Sequence, residues 1–156
     1  MEQTAIQETG AEMREIVSFR VTGQDFCIDI GHVREIRGWS PTTVLPHAPD
    51  FVIGVMNLRG NVIPVIDLSH RLGLGRTEPT QRHVIVITAY GSGTVGLLVE
   101  AVSDIMSVSC DELKQTPDVA ASSAPAFVEG VFPVAESLIR VLDLAKVIPA
   151  ERTGSE

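Results

Sequence analysis

An ungapped internal repeat constrains this chain more than any single motif. FVIGVMNLRGNVIPVIDL (residues 51–68) lies over FVEGVFPVAESLIRVLDL (residues 127–144) at a constant offset of 76. Upstream, residues 16–36 lie over 85–105 at an offset of 69, which pairs Phe26 with Val95, Ile28 with Leu97, Val33 with Val102 and Ile36 with Ile105. Such self-similarity means one supersecondary unit built twice. Each unit reads as a hairpin, a short turn, a linker, FVxGV and a strand ending in Asp-Leu.

The local patterns are those of strands. Residues 16–21 form a β-branched and aromatic run closed by Thr22-Gly23-Gln24-Asp25, after which Phe26, Ile28 and Ile30 alternate with Cys27 and Asp29. A run, a Gly-bearing turn and an alternating run predict a β-hairpin. Further strands are expected at 62–66, 83–89, 94–99 and 138–142. Helix signals are short: residues 67–72 ended by Gly73, and residues 110–113 before Pro117. The expected class is all-β, with about five strands per repeat closing into a barrel. Two such barrels side by side would share a groove. The expected division is a flexible N-terminus at 1–14, a domain at 15–149 made of two intertwined barrel subdomains at about 15–80 and 81–149, and a flexible end at 150–156.

Composition narrows the partners. With 156 residues and 44% hydrophobic content the chain can bury a core without disulfides or metal. Asp plus Glu number 20 against 12 Lys plus Arg, for a net charge of -8. That balance repels phosphate backbones and anionic lipid, so nucleic acid and membrane surfaces are poor first readings, and no apolar run approaches the roughly 20 residues that direct membrane insertion needs. The glutamate-rich start is the opposite of a signal peptide, and a cytoplasmic location is expected. Cys27 and Cys110 lie far apart with no CxxC, as reduced packing residues do.

Catalytic constellations are missing from the pattern. His32, His47, His70 and His83 are scattered, with no HxH or HExxH spacing, so neither a metal nor a cofactor is expected. Gly91-Ser92-Gly93-Thr94 reads as a hairpin turn; a phosphate loop would open a helix. Asp67 and Asp143 fall at the same place in the repeat, which argues for a shared capping duty. Asn57-Leu58-Arg59-Gly60-Asn61 is different: its counterpart Pro133-Val134-Ala135-Glu136-Ser137 lacks the arginine, so closing a barrel does not require Arg59. Glu35, in Val33-Arg34-Glu35-Ile36-Arg37-Gly38-Trp39, is its candidate partner. Two readings stand open: a solvated surface ion pair that contributes little, or a polar clasp beside an apolar docking patch.

VREIRGW, LPHAPDFVIGVMNLRGNVIPVIDL and VGLLVEAVSDI, in that order, resemble the CheW family of chemotaxis coupling proteins, over about residues 14–148. The resemblance implies two five-stranded SH3-like barrels and no catalysis. It also implies a bridge between the cytoplasmic tips of methyl-accepting receptors and the regulatory domain of the histidine kinase CheA, in arrays at the membrane. Receptor tips would lie in the groove between barrels near VREI and NLRG, and the kinase on apolar barrel surfaces. Carried over residue by residue, Val33, Glu35, Ile36, Gly54, Asn57, Leu58 and Arg59 are the expected interaction surface. The chain departs from the family at residues 132–136, short and apolar where relatives carry a Gly/Asp-rich turn. The competing reading from another class is a small-ligand or peptide sensor that uses the groove.

Overall fold

The computed structural model describes residues 12–91, 93–114 and 127–148. The first repeat contributes strands β1 (Met13–Val21), β2 (Gln24–Asp29), β3 (Val33–Gly38), β4 (Val52–Leu58) and β5 (Asn61–Asp67), then helix α1 (Leu68–Arg71). The second contributes β6 (Val84–Tyr90), β7 (Gly93–Val99), β8 (Ala101–Ser109), β9 (Val128–Val134) and β10 (Ser137–Leu142), then helix α2 (Leu144–Val147). Short 3-10 turns at Ile30–His32 and Cys110–Glu112 complete the described elements. The all-β expectation holds, and the turn predicted at 110–113 is present. The loose ends expected at 1–11 and 150–156 lie outside the described residues, as does Pro117. Met13 and Arg14, expected in the loose N-terminus, are instead the first rungs of β1, paired with Ser109 and Val108.

The ten strands form two five-stranded sheets, in the orders β8-β1-β2-β10-β9 and β3-β6-β7-β5-β4. Shifting every strand by five converts one order into the other, so the repeat in sequence is a repeat in topology. Register obeys it as well. The parallel rung Val141↔Cys27 maps by the offsets of 76 and 69 onto Val65↔Gly96, and Ile105↔Val17 maps onto Ile36↔Val86.

The sheets do not divide where the repeat does. One, here the central sheet, is the continuous stretch β3 to β7; the other, the terminal sheet, joins the β1–β2 hairpin to β8, β9 and β10. A boundary near residues 80 and 81 therefore cuts the central sheet in two. The cause is connection length. Three residues separate β2 from β3, and Glu100 alone separates β7 from β8. Links so short leave no room for a return past the hairpin to its own sheet, so each third strand enters the sheet that holds the other repeat's hairpin.

Each sheet is closed by one antiparallel bridge between the continuation of one edge strand and the other edge. Thr43 beyond β3 exchanges bonds with Val55 of β4 (2.9 and 2.8 Å), and Lys114 beyond β8 does so with Val131 of β9 (2.8 and 2.9 Å). A neighbouring glycine permits each approach. A Cβ on Gly54 would stand 2.5 Å from the Thr43 carbonyl oxygen, and one on Gly130 would stand 2.6 Å from that of Lys114. The glycine of FVxGV is thus a closure residue in both halves.

Three apolar clusters result. Ile16, Cys27, Phe132 and Val141 fill the terminal sheet, and Ile63, Val65, Ile85 and Leu98 fill the central one. The largest cluster joins them, with Phe19, Phe26, Val86, Leu97 and the helix residues Leu68, Leu72, Leu144 and Val147. Cys27 is fully buried, which pushes its thiol up to about 12 and keeps it unreactive. Asp67 and Asp143 cap α1 and α2, accepting from the amides of His70 and Ala145. Their own amides donate to the carbonyls of Phe51 and Phe127 at 2.7 and 2.8 Å. The shared capping duty read from the repeat is what the fold uses.

Candidate functional site

The turn between β4 and β5 has two residues, Arg59 and Gly60, both at positive φ (52° and 88°), as hairpins of this length require. Asn57 Oδ1 accepts the Gly60 amide at 2.9 Å and stiffens the turn. Ala135 holds the equivalent left-handed conformation (φ 54°), so the turn, not Arg59's duty, imposes this backbone. What distinguishes the first half is the side chain.

β3 and β4 are the two ends of the central sheet's strand order and do not neighbour each other until the Thr43–Val55 bridge closes the ring. Closure sets Glu35 of β3 beside the β4–β5 turn. There Arg59 Nη2 donates to Glu35 Oε1, while Arg37, two residues along the same strand, donates to Oε2 at 2.8 Å. Both oxygens of one carboxylate are engaged by two guanidinium groups. The hydrogen bond from Arg59, then that from Arg37, holds the Glu35 carboxyl below the usual range. Arg59's side chain remains 70% exposed and Glu35's 27%, so the clasp is accessible from solvent.

Glu35 and Arg59 of the clasp line an open cleft of about 570 Å³ together with exposed Val62 and the buried core residues Leu58, Ile63 and Ile87. Val62 is 66% exposed and Ile36 43%, unusual values for large aliphatic side chains. Of the seven expected residues, Glu35, Leu58 and Arg59 line this cleft, and Ile36 is exposed on β3. Asn57 is exposed and shapes the turn. Val33 is half-buried and packs on the junction core, and Gly54 is buried against Thr43. Their positions serve the sheet behind the cleft. Arg37, Ile63 and Val62 were missed. Arg37 was legible, since residues two apart on a strand share a face.

The cleft draws on the central sheet alone. The largest core cluster packs the interior of the junction between the sheets. It leaves a cleft of about 60 Å³ near Arg14, Asp29, His32 and Glu129, and one of about 240 Å³ near Thr22, Ser69 and Thr77. In the smaller, Arg14 donates to both Asp29 oxygens at 3.0 Å, and burial, then the neighbouring Asp143, raises the Glu129 carboxyl. A raised carboxyl binds its proton more tightly folded than unfolded. That contribution is complete below the unfolded value and lost as pH rises through the folded one. Glu129→Gln is therefore expected to raise the melting temperature at pH 7 and to lose that gain at about pH 4, near the unfolded carboxylate value. Because Glu129 is largely exposed, solvent screening holds the gain below about 1 kcal/mol. Equal shifts at both pH values would contradict the assignment.

Among the described residues no group of three or more His, Cys, Asp or Glu is placed to hold a metal ion, and no helix is long and apolar enough to cross a membrane. Residues 15–152 match the CheW-like domain. The chain belongs to the CheW-like family. It is 49% identical over 138 residues to the chemotaxis protein CheW of Rhizobium meliloti, which covers 88% of this chain and 89% of that one. It is 32% identical over 152 residues to the chemotaxis protein CheW of Bacillus subtilis, covering 97% and 96%. A crystal structure of the scaffolding protein TtCheW from Thermoanaerobacter tengcongensis superposes with a TM-score of 0.80 at 29% identity, over 90% of each chain. Family and fold agree with the motifs VREIRGW and NLRG, and the family's setting is chemotaxis.

Proposed function

We propose that this CheW-like chain is a non-catalytic chemotaxis adaptor that couples the cytoplasmic tips of methyl-accepting receptors to the histidine kinase CheA. The observation that carries this reading is the Arg59–Glu35–Arg37 clasp beside the cleft and exposed Val62 and Ile36, its three residues all in the first repeat and replaced by Ala135, Asp104 and Met106 in the second. Folding alone does not call for it, since the second barrel closes with Ala135 in place of Arg59. Exposed Val62 and Ile36 beside oriented charge suit a protein partner: the aliphatic side chains supply burial and the clasp fixes register. Arg37 and Arg59 both bond Glu35 there and Arg34 lines the same cleft, on a chain of net charge -8, which favours a partner segment with acidic residues. The adaptor works at the cytoplasmic face of receptor arrays, where individually weak contacts hold because each bound partner raises the effective concentration of the next.

Charge reversal tests the reading. Arg59→Glu sets two carboxylates face to face and is expected to weaken co-sedimentation with receptor arrays and kinase by at least about tenfold, the effect of a lost hot spot. The melting temperature should stay near that of the parent, because the pair is solvated. Adding Glu35→Arg rebuilds an ion pair of opposite polarity. If Arg59 only orients Glu35 and its neighbours, binding returns; if Arg59 touches the partner, it does not. An Arg59→Glu variant that assembles like the parent would overturn the proposed site.

A further inference from the structure

The repeat breaks its own symmetry at a second place, unrelated to the cleft. Arg71, the last residue of α1, has Val147 of α2 as its counterpart 76 residues on. Its guanidinium stands 4.3 Å from the ring centroid of Phe51 and 5.0 Å from that of Phe127. Those two rings are repeat mates, each opening the segment that leads into β4 or β9. From between them Arg71 Nε donates to the Val147 carbonyl and Nη2 to the Lys146 carbonyl, both at 2.9 Å. Arg71 therefore reaches the backbone of its own counterpart.

This geometry has a physical logic. α1 follows β5 of the central sheet and α2 follows β10 of the terminal sheet, so a contact between the two helix ends ties one sheet to the other. Carbonyls at a helix end lack intrahelical donors and carry partial negative charge, which a planar guanidinium fork satisfies two at a time. The flanking aromatic faces hold the same cation from both repeats. Only one cation fits between the two rings, and one repeat supplies it while the other places a buried valine, Val147, at the matching position. The rest of the junction is mostly apolar packing, which opposes separation but directs orientation weakly. Thr22 to Ser69 of α1 (2.6 Å) and His32 to the Ala89 carbonyl of β6 (3.2 Å) are further polar contacts near the junction, neither of them with α2.

We propose that Arg71 is a positioning residue that locks the two sheets in one mutual orientation, by clamping Phe51 and Phe127 while bonding the end of α2 from the end of α1. The Arg59 cleft lies on the central sheet, whereas exposed Ile105 and Leu138, the repeat mates of Ile36 and Val62, lie on the terminal sheet. The orientation Arg71 holds is the one in which these faces are presented together.

The test pairs amide exchange with a distance measurement on the full chain. Arg71→Met keeps the apolar stem and removes the charge and donors. It is expected to speed exchange at Val147 and Ile148 at least about tenfold while amides within the β1–β2 and β6–β7 ladders keep their protection. Spin labels at Val62→Cys and Leu138→Cys, on opposite sheets and in a Cys110→Ser background, should give a broader distance distribution in Arg71→Met than in the parent. Buried Cys27 takes no label. Arg71→Lys retains the cation over the rings without the planar fork and should fall between the two. Unchanged exchange and an unchanged distribution in Arg71→Met would overturn the proposal. Equal acceleration in both ladders would also overturn it, because that is what general destabilisation produces.

Discussion

Gly54→Ala is expected to lower the unfolding free energy by about 2–4 kcal/mol, counting overpacking against backbone and the two closing hydrogen bonds. The added methyl would meet the Thr43 carbonyl oxygen at 2.5 Å and Thr42 Oγ1 at 2.6 Å. Thr42 can rotate; the Thr43 carbonyl cannot, because it accepts the Val55 amide. Relief requires prying the Thr43 segment off β4, which reopens the ring that sets Glu35 beside Arg59. Gly130→Ala should cost a similar amount, since its methyl would meet the Lys114 carbonyl oxygen at 2.6 Å and Leu113 Cδ1 at 3.0 Å. Gly38→Ala is the control: nothing lies within 4 Å of its Cβ position, so a change within about 0.5 kcal/mol is expected. Urea unfolding with a common slope reads all three. A Gly54→Ala midpoint equal to that of Gly38→Ala would show that closure is not what the glycine serves.

Asp67→Ala should be nearly as costly, and far costlier than the same change at its repeat mate. Asp67 is 2% exposed, and besides capping α1 it accepts both the amide and the hydroxyl of Thr77 at 2.7 Å. Removing the carboxylate deletes a cap and strands two donors, about 2–4 kcal/mol in total. Asp143 accepts the Ala145 amide at 3.1 Å and lies 4.0 Å from Lys146 in a more exposed setting, so Asp143→Ala should cost about 1 kcal/mol. Thr77→Val, which keeps the amide bond and removes the hydroxyl, should by itself cost roughly a third to a half of the Asp67→Ala loss. Equal unfolding midpoints for the two aspartate variants would mean that the Thr77 strap adds nothing beyond the cap.

These two predictions divide the repeat into what was legible and what was not. Equal offsets announced that Gly54 and Gly130, or Asp67 and Asp143, do the same work, and capping and closure bear this out. Sequence alone could not say that Asp67 does more, because Thr77 is ten residues away in a linker without periodicity. The exchange of hairpins between halves was hidden for a related reason. A repeat specifies the unit, whereas the sheet each unit joins depends on links of one and three residues whose direction is a steric matter in three dimensions. The packing of Phe19, Phe26, Leu97 and Leu144 against each other at the junction was hidden likewise, since each could have faced its own barrel.

From the sequence by itself come the all-β class, the doubled unit, the caps and the singular status of Arg59. All of these follow from short-range pattern or from comparing one half with the other. The pairing of Glu35 with Arg59 was a sequence candidate that the closed ring bears out, whereas tertiary structure alone decided that Arg37 shares the same carboxylate and that Arg71 spans the junction. Contacts between distant residues are fixed by closure and packing, and the energies that select them arise only when the sheets have formed.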